Sequence, residues 1–305
     1  MKYIHLGILF ILCGCTQVEV TEEFDEQNKI TVAIQFKPNE SLRTTPSSDL
    51  SIMSAKVLVY NSNEILENST STTSGNSSAV LTLKEGHKYI YVVANASSDL
   101  TEKIKNAHFR KDLLELTSEA EDYNNGQLPS HGLLMAGEYE GFFTTNQNIT
   151  VTLTAALTKI EVYVAKESNV GNIIVKKVEG KNLHTTGYLF STDVTESKTD
   201  LAMQMPSGGP ITIKTNDITG KLVGTVYSYP TIKATDLSVQ LTVRHAEAQA
   251  DDVYTIIPNA QNSSAEGVTL ERGKCNKITI TFKKDEQGTI TTEEFSNVNN
   301  EFIFG

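Results

Sequence analysis

Alternation of apolar and polar side chains dominates the chain from residue 29 onward. In residues 29–37 every second side chain is apolar, namely Ile30, Val32, Ile34 and Phe36. A period of two predicts a β-strand with one buried face, and Pro38 ends this strand. The same pattern predicts further strands in the first half of the chain, at 56–60, 79–83, 88–95 and 149–153.

The segments between these strands predict a turn, two loops and a short helical stretch. Glu-Gly-His at 85–87 predicts a turn that pairs the strands on either side of it. The Ser-, Thr- and Asn-rich run 61–78 and the glycine-containing run 123–147 predict surface loops. Capping residues followed by apolar positions at helical spacing predict one or two short helices within 98–121.

Short strands continue through the second half of the chain, where no helical pattern is evident. The predicted strands are 172–178, 187–190, 211–214, 221–229, 237–244, 253–257 and 276–283. The apolar phase slips by one residue near 155–158, which indicates a bend and a domain boundary. We therefore predict a mainly β protein with two β-sandwich domains in tandem, 29–156 and 157–305.

The beginning of the chain has the layout of an export signal. Met1 and Lys2 supply a positive start, residues 4–12 are apolar, and Leu-Cys-Gly-Cys follows at 12–15. This end resembles a bacterial lipobox, which implies a signal peptide of residues 1–14, cleavage between Gly14 and Cys15, and lipidation of Cys15 by acyl chains such as palmitate. An ordinary signal peptide cut elsewhere is the alternative. The acidic residues that follow predict a solvated tether over 15–28.

Composition narrows the classes of function. The 305 residues carry a formal net charge of −11, which argues against a nucleic-acid partner. Of the 3 Cys, Cys13 leaves with the signal and Cys15 is acylated in this interpretation, so Cys275 has no partner for a disulfide. The absence of Trp counts mildly against a sugar-binding lectin.

Motifs of catalysis and metal binding are missing. The 6 His show no metal-ligand spacing, and neither a GxSxG elbow nor an SxxK motif occurs. The acidic turn at 285–288 has its Gly at the fourth rather than the sixth position of a calcium loop. We therefore predict a protein that is not an enzyme and that carries no cofactor and no metal.

Several stretches together resemble the fimbrillins, the pilin-like lipoproteins of Bacteroidales. The stretches are the lipobox ending at Cys15 and residues 89–96, 133–137, 151–162 and 270–282. The resemblance implies two transthyretin-like β-sandwich domains and a lipoprotein of the outer membrane surface that assembles with other subunits into fimbriae. It also implies a role in adhesion, with host surface glycoproteins as further partners.

In this family a protease with Arg specificity commonly trims the precursor after its first strand. Arg43 stands between the predicted strands 29–37 and 56–60, so the resemblance implies a cut between Arg43 and Thr44. An ordinary surface Arg in a loop is the alternative. Loss of strand 29–37 would leave an apolar groove that a strand of another subunit could fill.

The end of the chain is the candidate donor of that strand. Phe302 and Phe304 alternate with Ile303, so both Phe side chains belong to one face of an extended segment. The chain departs from the family pattern at Gly273 and Cys275, which leaves stalk, tip and anchor roles open. The alternative function is a monomeric surface lipoprotein that binds a host glycoprotein or glycan.

Overall fold

The computed structural model describes residues 29–39, 50–73, 75–119, 128–191, 193, 195–214, 217, 220–246, 248–257 and 268–284, and the backbone of 290–295 and 300–301. Within these ranges the protein is mainly β with two short helices, as the sequence pattern predicts. No helix in the described part of the chain is long and apolar enough to cross a membrane.

The first half forms one seven-stranded sheet that folds over into two layers. Its elements are β1 (Lys29–Pro38), β2 (Ser54–Asn61), β3 (Leu66–Thr73), β4 (Ser78–Lys84), β5 (Gly86–Ala94), α1 (Ser98–Lys105), α2 (Arg110–Leu114), β6 (Thr117–Glu119), β7 (Met135–Phe143) and β8 (Gln147–Ala155). The strand order is β3-β2-β5-β7-β8-β1-β4. β7 and β8 pair only through Met135 and Ala136, so the sheet bends sharply there.

Alternating side chains from both layers fill the first core. α1, which follows β5, adds the buried side chains of Leu100 and Ile104 to this core. Ser97 caps the helix, because its side chain accepts the backbone N–H of Leu100. The Tyr60 hydroxyl donates to the carbonyl of Ala107 at 2.8 Å, which fixes the connection between the helices against β2. The helices thus lie within the predicted range 98–121.

Three predictions for the first half are wrong. β3 lies within the predicted loop 61–78, because a sheet edge accepts the polar side chains that read as a loop. β7 lies within the predicted loop 123–147, where Gly137 gives room rather than a turn: a Cβ there would stand 2.3 Å from the carbonyl oxygen of Thr152. β4 and β5 are not a hairpin either, because β4 pairs with β1 and β5 pairs with β2 and β7.

The second half forms a sandwich of two sheets. Its strands are β9 (Thr158–Lys166), β10 (Ile173–His184), β11 (Thr186–Tyr188), β12 (Lys198–Ala202), β13 (Ile211–Ile213), β14 (Lys221–Ser228), β15 (Thr231–Ala234), β16 (Ser238–His245), β17 (Asp252–Ile256), β18 (Val268–Leu270), β19 (Cys275–Lys284), β20 (Ile290–Phe295) and β21 (Asn300–Glu301). One sheet has the order β14-β9-β19-β20 with β21 also on β19. The other has the order β12-β10-β16-β17 with β13 on β10, and β15 pairs with β18.

The strands β12, β15 and β18 are not among the predicted ones. The longer predicted strands are all present, and the described residues of this half contain no helix. Cys275 is buried at the start of β19 and forms no disulfide within the described residues.

Two hydrophobic clusters divide the interior. One gathers the first-half core and extends to Leu189, Tyr227 and Tyr229, and the other spans Ile160 to Phe282. β6 pairs with β11, so a small ribbon joins the two halves. Because side chains beyond residue 157 pack into the first cluster, the division at 156/157 stays a prediction.

Candidate strand-exchange site

β1 occupies an interior position in its layer, between two strands that run in opposite directions. It pairs antiparallel with β4, from Lys29 opposite Lys84 to Gln35 opposite Ser78. It pairs parallel with β8, from Val32 opposite Gln147 to Pro38 opposite Leu153. A strand near one end of the chain is therefore inserted into the sheet rather than added at its edge.

One face of β1 is fully committed to the core. The exposed fractions of its inward side chains are 4%, 0%, 0% and 1%, for Ile30, Val32, Ile34 and Phe36. The outward side chains of Lys29, Thr31, Gln35 and Lys37 are exposed. Burying four such apolar side chains contributes on the order of 6–12 kcal/mol before entropy is counted. The strand therefore stabilises the first core strongly without making any covalent cross-link to it.

The hydrogen bonds of β1 continue to its two ends. Near the start, the backbone N–H of Thr31 donates to Oδ1 of Asn146 at 2.7 Å. Near the end, the N–H of Phe36 donates to the carbonyl of Ser77 at 2.9 Å, and that of Asn39 to the carbonyl of Leu153 at 2.8 Å. Departure of β1 would uncover the inner edges of β4 and β8 and the apolar floor between them.

β1 and β2 are joined by a segment that includes residues 40–49, called the link below. Asn95 fixes the chain directly after this link. Its side chain accepts the N–H groups of Met53 and Ser54 through Oδ1 and donates to the carbonyls of Ser51 and Leu133 through Nδ2. The residue is fully buried and has a φ of 59°, a left-handed conformation that Asn tolerates better than most residues. Residues 51–54 are thus held in place independently of β1.

Sequence analysis missed this role of Asn95, which it noted only as part of the stretch 89–96. A signal was present: an Asn directly after a strongly apolar strand is a common residue for a left-handed strand end. Its four partners could not be found in that way, because they lie 38 to 44 residues away.

The predicted site residues lie outside the described residues. These are Gly14 and Cys15 at the lipobox, Arg43 and Thr44 in the link, and Phe302, Ile303 and Phe304 in the tail. What is described are their flanks: β1 ends before the link, and Leu50 is buried in the first core after it. The Arg43 cut, the lipidation and the donor role therefore stay predictions.

The backbone that leads to the tail pairs within its own chain. β20 pairs with β19 from Thr279 opposite Phe295 to Lys284 opposite Ile290. β21 continues along the same strand, with Glu301 opposite Cys275. The chain therefore runs beside the start of β19 directly before Phe302.

Arg110 forms a polar and aromatic cluster on the outer face of the same domain. Its guanidinium lies 4.0 Å from the ring centroid of Tyr89 and donates to the Tyr91 hydroxyl at 2.7 Å and to Oε1 of Glu64 at 2.6 Å. Burial raises the pKa of Tyr91, so its hydroxyl stays protonated at neutral pH. The cluster ties α2 to β5, and every group in it has a structural partner.

No metal centre is evident in the part of the chain that the structure describes. No group of three His, Cys, Asp or Glu residues there is placed to hold a metal ion. The arrangement around β1 consists of backbone edges and apolar side chains, and its capacity is to bind an extended strand.

Solved structures share the fold over most of the chain. The tip fimbrial protein Mfa3 of Porphyromonas gingivalis, with C-terminal truncation, is 13% identical and has a TM-score of 0.59, with 88% of this chain and 98% of that chain covered. A fimbrial assembly protein of Parabacteroides distasonis is 17% identical with a TM-score of 0.54, covering 87% and 98%. A fimbrilin of P. gingivalis is 12% identical with a TM-score of 0.54, covering 89% and 98%.

At these identities the likeness establishes the fold. The protein is a mainly β protein with the fold of Bacteroidales fimbrial proteins, as the resemblance to fimbrillins implies. No family model matches the sequence, and no curated protein matches it.

Proposed function

We propose that the protein is a structural or accessory subunit of cell-surface fimbriae that assembles by strand exchange. The observation that carries the proposal is the insertion of β1, an N-terminal strand with a fully buried face, between β4 and β8. The fold that it shares with fimbrial proteins supports the same role. In this role the protein acts without catalysing a reaction and needs no cofactor.

Export comes first in this scheme. The signal peptide is removed at Gly14, Cys15 is acylated, and the chain is anchored at the outer membrane by its acyl chains. β1 then fills the first core of the anchored precursor, so the precursor reaches the surface with no apolar groove exposed. This agrees with the rule that unpaired strand edges are kept covered until a partner is available.

A cut between Arg43 and Thr44 separates β1 from the rest of the chain. The new end lies within the link, and Asn95 holds the chain from Ser51 onward, so β2 keeps its place when β1 leaves. The described contacts that then hold the strand are its backbone ladder, its apolar face and the hydrogen bond from the Thr31 N–H to Asn146. An incoming strand that reproduces these contacts can replace it at little net cost.

The tail has the residue pattern for that replacement. In β1 the inward positions are four apolar side chains at intervals of two. In the tail, Val298, Phe302 and Phe304 have the same spacing, with Asn300 at the remaining position. We propose that the tail of one subunit enters the groove of another, with Phe302 and Phe304 in the places of Ile34 and Phe36.

A cross-strand disulfide tests the release of β1. Ala33 and Val80 are directly opposite each other on β1 and β4, and Val80 is 66% exposed. Facing residues of antiparallel strands are close enough for a disulfide when their Cα atoms are about 4.4–6.8 Å apart. The double variant A33C/V80C should leave the precursor folded, prevent polymer formation when oxidised, and restore it on reduction.

Matched variants make this test specific. The single variant A33C should polymerise normally, and so should a disulfide pair between strands that stay together, such as Lys56→Cys with Ser71→Cys on β2 and β3. Polymer that forms while the A33C/V80C disulfide is intact would contradict strand exchange. A protein that forms no ladders on SDS gels without boiling, even as wild type, would favour the alternative of a monomeric surface lipoprotein that binds a host glycoprotein or glycan.

A further inference from the structure

A cleft of about 630 Å³ opens at the end of β10, in the second half of the molecule and away from the groove that β1 fills. Its described lining consists of His184 and two segments, called its walls below: Thr195, Glu196 and Lys198 in one, and residues 231–236 in the other. Its volume is within the usual range of small-molecule sites.

His184 is buried beside the cleft, and hydrogen bonds hold its backbone in place. Its exposed fraction is 3%, and its carbonyl accepts the backbone N–H of Tyr229 at 3.0 Å and the hydroxyl of Ser228 at 3.2 Å. Its Nδ1 is buried and has no hydrogen-bond partner among the described residues. Burial lowers the pKa of His184, so the imidazole is neutral at pH 7. A neutral buried imidazole with an unsatisfied nitrogen is an unusual feature in a structural wall.

An ion pair spans the two walls. Nζ of Lys198 lies 3.1 and 3.0 Å from the two carboxylate oxygens of Asp236. The carbonyl of Asp236 accepts from Nδ2 of Asn182 at 2.8 Å, which fixes its backbone. The side chains of Lys198 and Asp236 are 33% and 48% exposed, so both can reach a ligand in the cleft.

The charges of the described lining residues balance. Lys198 and Lys233 are matched by Glu196 and Asp236, and the remaining polar side chains include three Thr, namely Thr195, Thr231 and Thr235. An anionic ligand would meet two carboxylates, and a cationic ligand two ammonium groups. A neutral ligand with closely spaced hydroxyls avoids both costs, because one hydroxyl can accept from Lys198 while its neighbour donates to Asp236.

We propose that this cleft binds a neutral saccharide, with adjacent sugar hydroxyls bridging Lys198 and Asp236. Ile232 is 57% exposed on the wall and offers an aliphatic surface for the C–H face of the ring. Since none of the described lining residues is Phe, Tyr or Trp, we expect weak binding at one site and strong binding to multivalent ligands. The inference does not depend on polymer assembly.

The test uses the full chain purified in detergent, applied to an array of neutral oligosaccharides and of the same oligosaccharides in sialylated and sulfated form. Isothermal titration with the best neutral probe then gives its affinity. Asp236→Asn should lower this affinity at least about tenfold. Ile232→Ala should lower it severalfold. The matched control is Asp251→Asn, which removes the carboxylate that pairs with Lys176 and Arg244 on other strands of the same domain.

The result that supports the proposal is neutral binding that both cleft variants weaken and the control leaves unchanged. The proposal is overturned if no neutral probe binds, if the charged forms bind better, or if Asp236→Asn binds like the wild type. Ile232→Ala removes an exposed side chain, so its effect on binding remains readable if Asp236→Asn unfolds. Ladders on unboiled SDS gels, run on the same variants, report polymer formation separately.

Discussion

β1 and β19 occupy equivalent positions in their halves of the molecule but differ in how they are held. Each lies between one parallel neighbour and one antiparallel neighbour: β8 and β4 for β1, and β9 and β20 for β19. Each buries an apolar face, and Ile34 and Ile280 are both fully enclosed. Backbone pairing alone therefore does not distinguish β1, the strand that we propose to be replaceable, from β19.

Side chains and chain connections make the difference. At the start of β19, Nδ2 of Asn276 donates to the Thr158 hydroxyl at 2.7 Å, and that hydroxyl donates to the carbonyl of Lys274 at 3.1 Å. Just before it, Arg272 donates to the carbonyls of Leu189 and Ser191. In the sequence, β19 also lies between two other strands, β18 and β20. β1 is followed by a link, and among the described residues its side-chain hydrogen bond is the one to Asn146. This fits the proposal that a single cut makes β1 replaceable.

The largest expected effect is on polymer formation by Arg43→Ala. If cleavage after Arg43 frees β1, the variant should accumulate as lipidated precursor and form no polymer. Mass spectrometry of the mature N-terminus should find lipid-modified Cys15 in the variant and Thr44 in the wild type. Arg244→Ala is the matched control, since it removes an Arg of the other half. Normal polymer from Arg43→Ala would make Arg43 an ordinary loop residue.

Deletion of residues 300–305 should also abolish polymers, for a different reason. It removes Phe302 and Phe304 from the donor and leaves the groove of the first half intact. The melting temperature of the unpolymerised precursor should then hardly change. A fall corresponding to several kcal/mol would instead mean that the two Phe side chains belong to the core of the second half, and the donor role would be rejected.

Ile34→Ala and Ile280→Ala compare the two strands directly. Each truncation of a buried Ile should destabilise the precursor by about 2–5 kcal/mol in denaturant unfolding. After cleavage and exchange, the cost of Ile34→Ala should disappear because its strand is no longer in the fold. That of Ile280→Ala should persist. Equal destabilisation of the polymer by both variants would show that β1 is retained.

Asn95→Ala should have a smaller effect on stability, on the order of 1–3 kcal/mol, because it removes the hydrogen-bond partner of backbone groups at Ser51, Met53, Ser54 and Leu133. It should also make residues 51–54 more sensitive to limited proteolysis, as measured by mapping the cleavage sites. Asn68→Ala is the control, since it removes one exposed hydrogen bond, to the carbonyl of Thr82. Unchanged proteolytic limits would remove Asn95 from the account of the link.

Sequence patterns predict the strands in which apolar and polar side chains alternate. They do not predict the strands without such alternation. β1 and β8 are visible because one face is apolar, whereas the polar edge strand β3 and the glycine-containing β7 read as loops. A local pattern does not show which strands pair, and for this reason the predicted pairing of β4 with β5 is wrong. The insertion of β1 and the cleft around His184 both depend on residues far apart in the chain, from 32 to 147 and from 184 to 236.

The direction of β1 has a consequence for the geometry of a fibre. Because the strand runs parallel to β8 and antiparallel to β4, a replacement that keeps this hydrogen bonding can enter in one direction only. Every junction along a row of subunits would then have the same orientation, giving a head-to-tail polymer with two unlike ends. One end would present an unfilled groove and the other an unused tail. A subunit that kept its own β1 would have no groove to offer, and it would terminate the row at that point.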